Sequence, residues 1–287
     1  MFKFGIVILN YVDYQVTLNC VNSFKKQIKV NELIKIVIVD NGSRNKSFEI
    51  LNKSFKKDPN VFVIETKKNL GFANGNNYGY YFLRKNFNPD FYIFSNSDVI
   101  LNQSGLFEWI EKEWNTQHFG VLGPCIYSLN EKYFQSPFGN LTANYKKLNL
   151  IKFGLLISYF KIKLKIIFKV DFQRKAREKK SESKYYQVAN NEKTLHGSFQ
   201  IFSGMYFKFY DEPYYKETFM YLEENILKYR CDVANLKMRY SPEYKITHLQ
   251  AASTSKITSD ELKRKLFKIK NMIVSLEQYI KLIKKDN

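Results

Sequence analysis

The sequence contains few cysteines and no long apolar segment. Its 287 residues include three cysteines, Cys20, Cys125 and Cys231, and no two of them form a CxxC pair. An odd number of widely spaced cysteines is typical neither of a disulfide framework nor of a zinc site, so we expect a reducing compartment. No segment approaches the roughly 20 apolar residues of a membrane-spanning helix, and the apolar run near Met1 is too short for a secretory signal. These absences predict a cytoplasmic protein.

Acidic residues are also scarce. The chain has 27 Asp and Glu against 46 Lys and Arg, which gives a net charge of +19. Residues 145–184 alone hold thirteen basic and three acidic side chains, so the excess is concentrated there. A localised excess of this kind indicates a polyanionic partner or a membrane surface. A basic nucleic-acid-binding protein is an alternative, and so is a general compositional bias towards Lys, Asn, Ile, Phe and Tyr.

Residues 152–169 mix Leu, Ile and Phe with lysines at helical intervals. This pattern fits an amphipathic helix that lies on a membrane surface. It fits equally well a solvated helix that packs on its own domain. A second amphipathic helix is expected over 261–285, where it could dock on the chain, form an oligomer or touch a membrane.

Two glycine motifs that bind nucleotide phosphates are absent. The segment NLGFANGNNYGY (69–80) contains neither GxxxxGK[ST] nor GxGxxG. Its glycines allow close backbone approach, and its asparagines supply neutral hydrogen-bonding groups. We interpret the segment as a Gly- and Asn-rich turn followed by a helix that extends through Tyr80 to Lys85.

The first 127 residues alternate between strand and helix patterns. Apolar runs predict strands at 5–9, 33–39, 61–65, 91–95 and 120–127, with helical spacing between them. This order predicts an α/β fold with a mostly parallel sheet that is covered on both faces. The 17% content of aromatic residues agrees with a packed core.

Polar residues follow three of these strands. The ends are Asn10-Tyr11, Asp40-Asn41-Gly42-Ser43 and Asn96-Ser97-Asp98. Each could be an ordinary turn or a helix cap. Because ligands of parallel sheets bind at the carboxyl ends of the strands, we instead expect these three ends to form one site.

Further candidates lie in the second half of the chain. Glu223 and Glu224 are adjacent carboxylates at a predicted helix start, where one of them could accept a proton from an attacking hydroxyl and where acids also stabilise a helix. His248 ends a predicted strand–turn–strand unit over 238–249 and could join Asp98 in a site for Mg²⁺ or Mn²⁺. His196, with Gly197 and Ser198, is expected to line the pocket.

Eight motifs follow one another over most of residues 3–255: VILNY, VIVDNGS, NLGFANGNNYG, FSNSDV, GVLGP, HGSFQIFSG, TFMYLEENIL and YSPEYKITHLQAAS. In this order the chain resembles the family-2 inverting glycosyltransferases with a GT-A fold. The resemblance is strongest to the branch of rhamnosyltransferases that assemble surface polysaccharide, such as capsule or lipopolysaccharide. It implies a Rossmann-like nucleotide-binding half, a helical insertion and a C-terminal helix.

The resemblance also assigns roles to individual positions. It implies that Asp40 binds the nucleobase, with Asn10 and Tyr11 beside it, and that Asn69, Gly71 and Asn74 lie near the ribose and diphosphate. Asn41 is expected to contact the nucleotide sugar as well. Asn96, Ser97 and Asp98 occupy the DxD position, where Asp98 binds the metal and Asn96 departs from the strict motif. Glu224 matches the catalytic base and Glu223 the acid before it, whereas Ile226 replaces the motif's final Asp. His248 precedes the flexible loop 250–256.

These assignments predict a metal-dependent enzyme with Mn²⁺ or Mg²⁺ as cofactor. Its donor is expected to be a sugar linked to UDP, dTDP or GDP, and its acceptor a saccharide, which the basic block suggests is lipid-linked. The expected divisions are 1–127 for the nucleotide sugar, 128–255 for the acceptor with a basic insertion at 145–184, and 256–287 for the C-terminal helix. We expect no nucleic-acid partner and allow peripheral membrane contact. A non-catalytic GT-A subunit is the alternative within this fold.

Overall fold

The computed structural model describes residues 1–29, 33–141, 143–168, 193–250 and 260–286, together with the backbone of 186–187. Residues 169–184 of the predicted basic insertion and 251–256 of the predicted flexible loop lie outside these ranges. The strands are β1 (Lys3–Asn10), β2 (Leu33–Asp40), β3 (Val61–Glu65), β4 (Phe91–Asn96), β5 (Val99–Ile100), β6 (Val121–Ser128), β7 (Tyr133–Phe134), β8 (Phe138–Gly139), β9 (Tyr186–Gln187), β10 (Lys193–Thr194), β11 (Phe199–Ser203) and β12 (Met238–His248). The helices are α1 (Tyr14–Lys25), α2 (Ser47–Phe55), α3 (Gly71–Asn86), α4 (Leu106–Thr116), α5 (Tyr145–Ile167), α6 (Glu223–Val233) and α7 (Glu261–Asp286), with a 3₁₀ turn at Tyr206–Lys208.

One large twisted sheet organises the described part of the chain. Its strand order is β3-β2-β1-β4-β11-β6-β12-β5, with β7 paired to β6 and β9 to β12. Strands β8 and β10 form a separate antiparallel pair. Strands β3, β2, β1 and β4 are parallel, as are β6 and β12, whereas β11 runs antiparallel between the two groups. The α/β fold predicted from the sequence is confirmed. The parallel arrangement brings the ends of β1, β2 and β4 to one edge.

Each central strand contains a continuous apolar run because both of its faces are covered. In β1 and β2, Ile6 and Ile36 pack into a cluster with α1, α2 and α4. The alternating residues Val7 and Val37 point to the opposite face and pack against α3. Burial on both sides is the reason that these strands show no polar–apolar alternation.

A third apolar cluster joins α5, α6 and α7. Leu148 of α5, Ile226 of α6, and Leu276 and Tyr279 of α7 are all buried in it. One face of the C-terminal helix therefore docks on the chain itself, which is one of the three possibilities that its sequence left open. Oligomer formation through α7 stays a prediction.

The sequence analysis was wrong about two local structures. The segment 238–249 is not a strand–turn–strand unit, because β12 is one strand whose pairing with β6 shifts between Ser241 and Lys245. The Gly- and Asn-rich segment is not a turn, because α3 already begins at Gly71. Glycine disfavours a helix interior, but at Gly79 an added Cβ would lie 2.5 Å from the Cγ1 atom of Val7. Helix propensity does not include packing on the sheet. The close approach of α3 to β1 explains why glycine occurs inside this helix.

Among the described residues, no helix combines the length and the apolarity needed to cross a bilayer.

Two glycines in helix interiors provide a matched test of this packing. Gly79→Ala should lower the free energy of unfolding by about 1–3 kcal/mol, because the new methyl group overpacks against β1. Gly154→Ala in α5, where nothing lies within 4 Å of the added Cβ, should instead raise it by roughly 0.5–1 kcal/mol through helix propensity. Urea unfolding followed by circular dichroism measures both. Equal changes in the two variants would contradict the packing of α3 on β1.

Candidate active site

A cavity of about 1310 Å³ opens at the edge where β1 and β4 end. Segments far apart in sequence form its walls: the ends of β1, β4 and β12, the segment 131–139, the turn 196–198, the start of α6 and the N-terminal half of α7. The predicted site residues that line it are Tyr11, Asn41, Asn69, Gly71, Asn96, Ser97, Asp98, His196, Gly197, Ser198, Glu223, Glu224 and His248. The structure thus brings most of the predicted residues together.

Asn10 and Asp40 lie beneath this cavity and do not line it. The Asn10 side-chain amide donates to the Oδ2 atom of Asp40 over 2.9 Å, and the Ser43 backbone N–H donates to Oδ1 over 2.8 Å. Asn10 in turn accepts a 2.6 Å hydrogen bond from the Thr17 hydroxyl. These bonds fix the carboxylate of Asp40, which is 1% exposed. A smaller cavity of about 990 Å³ adjoins the large one and shares Tyr11 and Asn69 with it.

The loop before α3 is held by the amides that the sequence singled out. The Asn41 side chain accepts from the Leu70 N–H over 2.9 Å and donates to the Gly71 carbonyl over 3.0 Å. Asn69 accepts from the Gly71 N–H over 2.8 Å. Gly71 has a φ of +80°, and a Cβ there would lie 2.0 Å from the Phe219 carbonyl oxygen. Glycine is therefore required at this position for two independent reasons.

Asn74 lies outside the cavity wall and donates to the Lys216 carbonyl over 2.8 Å. Together with the 2.8 Å bond from the Phe72 N–H to the Phe219 carbonyl, it ties the start of α3 to the segment before α6. The structure gives Asn74 a supporting position between these two walls.

Asp98 and His248 meet on one wall of the cavity. The Nε2 atom of His248 lies 3.1 Å from Oδ1 of Asp98, and its Nδ1 atom lies 2.7 Å from the Oε1 atom of Gln135. An amide oxygen only accepts, so Nδ1 carries a proton and Nε2 points at the carboxylate. The Nε2 lone pair and the carboxylate would repel each other at this distance. The contact is therefore favourable with a second ring proton on Nε2 or with a cation bound between the two groups.

The chemistry of this pair fits a divalent metal ion. Two ligand atoms that bind a metal at about 2.1 Å and at right angles lie about 3.0 Å apart, close to the observed 3.1 Å. The bond from Nδ1 to Gln135 orients the imidazole as outer-shell partners of metal ligands do. No group of three or more His, Cys, Asp or Glu side chains suited to a metal occurs among the described residues. Further ligands would have to come from substrate and water.

The turn 196–198 lies between Glu224 and the end of β4. The Gly197 N–H donates to Oε1 of Glu224 over 3.1 Å, and the Ser198 carbonyl accepts from the Asn96 N–H over 2.9 Å. Gly197 leaves no room for a side chain, because a Cβ would come within 2.8 Å of the same Glu224 oxygen. One turn thus joins the carboxylate at the start of α6 to the end of β4.

His196 is an uncharged ring in this turn. Its Nδ1 atom accepts from the Ser198 N–H over 3.2 Å, so the proton of the neutral ring is on Nε2. Burial, with a smaller contribution from the neighbouring His248, lowers the pKa of His196 to about 3. His196 therefore faces the cavity as a neutral hydrogen-bonding group across the physiological range.

Glu223 and Glu224 begin α6 in a strained and buried setting. Tyr221 and Leu222 just before them have φ values of +75° and +69°, which non-glycine residues seldom adopt. Burial, together with the neighbouring Glu224, raises the pKa of Glu223 to about 8. Its Oε1 atom has no hydrogen-bond partner among the described residues. Burial also raises the pKa of Glu224, against the opposing effect of the Gly197 amide.

Some residues of the cavity wall were missed by the sequence analysis. Lys268 and Met272 reach it from α7, and Lys268 lies 5.8 Å from the ring centroid of Tyr221. Gln135 comes from the segment between β7 and β8. No motif marks these positions, since only the docking of α7 and the path of residues 131–139 bring them to the site.

The raised pKa of Glu223 predicts a pH-dependent stability. The group titrates near pH 8 when folded, against a normal value of 4.5, so between these values only the unfolded chain has released the proton. The free energy of unfolding should therefore fall as pH rises from about 4.5 to about 8. Glu223→Gln should flatten this part of the profile, measured by urea unfolding at several pH values. An unchanged slope in Glu223→Gln would show that Glu223 is not the group responsible.

Comparisons with known proteins find solved structures of similar fold. The crystal structure of S. aureus TarS 1–349 in complex with UDP aligns with a TM-score of 0.54 and 15% identity, over 85% of this chain and 60% of that one. The complex of TarS 1–349 with UDP-GlcNAc gives a TM-score of 0.55 and 15% identity, over 96% and 66%. The structure of GalNAc-T7 with UDP, GalNAc and Mn²⁺ gives 0.61 and 13%, over 92% and 49%.

The chain thus spans less than two thirds of the length of these solved structures, and at such identities the likeness concerns the fold. No curated protein sequence matches the chain. Residues 5–210, well over half of the sequence, match the family described as glycosyl transferase family 2. The chain belongs to glycosyl transferase family 2.

Proposed function

We propose that this protein transfers a sugar from a nucleotide-diphosphate donor to a hydroxyl group of a saccharide acceptor, with inversion at the anomeric carbon. One observation carries the proposal: the turn 196–198 holds Glu224 and the end of β4, with Asp98 just beyond it, on adjacent walls of one cavity. A general base for the acceptor and a carboxylate that can hold a cation for the diphosphate, in a shared cavity, are what this reaction requires.

The nucleotide is placed at the ends of β1 and β2. Tyr11 lines both the large and the small cavity, and the fixed Asp40 carboxylate lies beneath them. The Asn69–Gly71 loop then lies beside the ribose and diphosphate. The solved TarS and GalNAc-T7 complexes contain UDP or UDP-GlcNAc, which makes a UDP-linked sugar the first donor to test, ahead of dTDP- and GDP-linked sugars.

Asp98 and His248 would hold Mn²⁺ or Mg²⁺ through Oδ1 and Nε2. Such a cation stabilises the negative charge of the departing diphosphate. The presence of Mn²⁺ in the GalNAc-T7 structure supports a divalent metal for this fold. Gln135 keeps the imidazole in the orientation that leaves Nε2 available.

Glu224 acts as the general base. At neutral pH Glu223, with a pKa of about 8, remains largely protonated, whereas the Gly197 N–H stabilises the ionised form of Glu224. Glu224 removes the proton of the acceptor hydroxyl while the hydroxyl oxygen bonds to the anomeric carbon. On the opposite face, the bond between the anomeric carbon and the phosphate oxygen of the donor breaks. A carboxylate with a raised pKa is a better proton acceptor, which favours this role.

The acceptor enters from the side formed by α6 and α7. His196 offers a neutral hydrogen bond to a sugar hydroxyl, and Lys268 adds a positive charge at the wall. The resemblance to the rhamnosyltransferase branch supports a role in surface polysaccharide assembly with a lipid-linked saccharide acceptor.

Replacing the base tests the mechanism directly. Glu224→Gln keeps an oxygen for the Gly197 N–H but cannot accept a proton, so turnover should fall by about 10²–10⁴-fold while donor binding is retained. Transfer is measured with a donor found by a thermal-shift screen of nucleotide sugars. Glu217→Gln, an exposed acid outside the cavity, is the control and should be fully active. Near-normal turnover of Glu224→Gln would rule out Glu224 as the base.

The metal site has a test that does not depend on activity. Calorimetry of the nucleotide diphosphate should show tighter binding with Mn²⁺ than without it. Asp98→Ala should reduce this gain by about tenfold or more, because one of two protein ligands is lost. Asp211→Ala removes an exposed carboxylate that does not line the cavity and should change nothing. The same Mn²⁺ dependence in Asp98→Ala would place the metal elsewhere.

A further inference from the structure

Helix α5 exposes a continuous apolar stripe to solvent. Only Leu148 of its 23 residues is buried. The stripe consists of Leu150, Phe153, Ile157, Phe160, Leu164 and Ile167, of which Ile157 is the least exposed, at 41%. The spacing of three and four residues places all six side chains on one side of the helix. An exposed apolar surface of this length, about 25 Å at 1.5 Å per residue, marks an interaction site.

The charges on α5 are all of one sign. The helix contains six lysines and no acidic residue. At 3.6 residues per turn, Lys147 and Lys161 border one side of the stripe and Lys163 lies near the other. An apolar stripe with lysines at its borders is the pattern of helices that lie in the interface of an anionic bilayer, where the stems of the lysines extend to the headgroups.

The base of α5 is attached next to the candidate active site. Leu148 packs in the same cluster as Leu222, the residue that precedes Glu223 and Glu224. Lys152 forms a 3.2 Å ion pair with Glu277 of α7, the helix that also supplies Lys268 to the cavity. Whatever binds the stripe is therefore held near the acceptor side of the cavity.

A second copy of the chain fits this surface less well. The spacing of the stripe could form the seam of a two-helix coiled coil. The residues that border such a seam would then bring lysine against lysine, with no acid on α5 to compensate. Anionic lipid headgroups complement the same lysines, at about 1 kcal/mol for each basic residue near the surface.

We propose that the α5 stripe docks this protein on an anionic lipid bilayer, with its apolar side chains in the headgroup region and its lysines on the phosphates. The acceptor side of the cavity then faces the membrane. This orientation gives a lipid-linked acceptor direct access to Glu224, a consequence that rests on the proposed glycosyl transfer. The docking itself does not depend on the reaction.

Vesicle flotation of the full chain tests the docking. Vesicles of phosphatidylcholine with phosphatidylglycerol should bind the protein, vesicles of phosphatidylcholine alone should bind it much more weakly, and added salt should weaken the binding. Phe160→Ser should lower partitioning by about tenfold through the loss of one buried aromatic side chain. Phe209→Ser is the matched control, since Phe209 is 57% exposed and Phe160 58%, and it should bind like the unchanged protein.

The outcomes are separable. Both serine variants should keep the unfolding temperature of the parent, because neither side chain is buried. No binding to anionic vesicles, equal binding to neutral ones, or equal effects of Phe160→Ser and Phe209→Ser would overturn the proposal. Self-association in sedimentation velocity that Phe160→Ser abolishes, without vesicle binding, would assign the stripe to a second copy. No nucleotide sugar is present in this assay, so its result is independent of whether the protein transfers sugar.

Discussion

The candidate site depends on the hydrogen bond between the Gly197 N–H and the Glu224 carboxylate. It fixes the start of α6 against the turn that precedes β11, and the next residue of that turn, Ser198, bonds to the end of β4. The turn therefore joins the end of β4 to the start of α6, in addition to the bond between the Phe72 N–H and the Phe219 carbonyl. A residue larger than glycine at 197 would displace the Glu224 carboxylate, since its Cβ would lie 2.8 Å from the Oε1 atom.

This arrangement is costly for the folded state. The Glu223 carboxyl group is removed from water next to that of Glu224, and the two residues before them have left-handed backbone conformations. Strain of this kind persists where the surrounding structure determines the conformation. Here the surrounding structure is the cluster that contains Leu222, Ile226 and Tyr279. The α5–α6–α7 cluster thus offsets the cost of placing the acids at the cavity.

The sequence predicted those parts of the protein that depend on local pattern. Strands such as β1 and β2 are recognisable because burial on both faces makes them continuously apolar, and Asp98, Glu224 and His248 stand in recognisable motifs. The start of α3 was not predictable, because contacts of its glycines with Val7 and Leu9 outweigh helix propensity. Asp40 could be predicted as important but not as buried, since its hydrogen bonds to Asn10 and Ser43 exist only once the strands pair. Lys268 is brought to the site by tertiary docking alone.

The position of α7 in the chain has a consequence for biosynthesis. A ribosome releases the sheet, the Asp98–His248 pair and both glutamates before it releases Lys268 and Met272. A nascent chain can therefore bury most of its core while one wall of its cavity is still missing, as domains often do during synthesis. The cavity wall that α7 contributes follows the whole sheet in the chain, so the emerging chain has its sheet before it can complete the cavity.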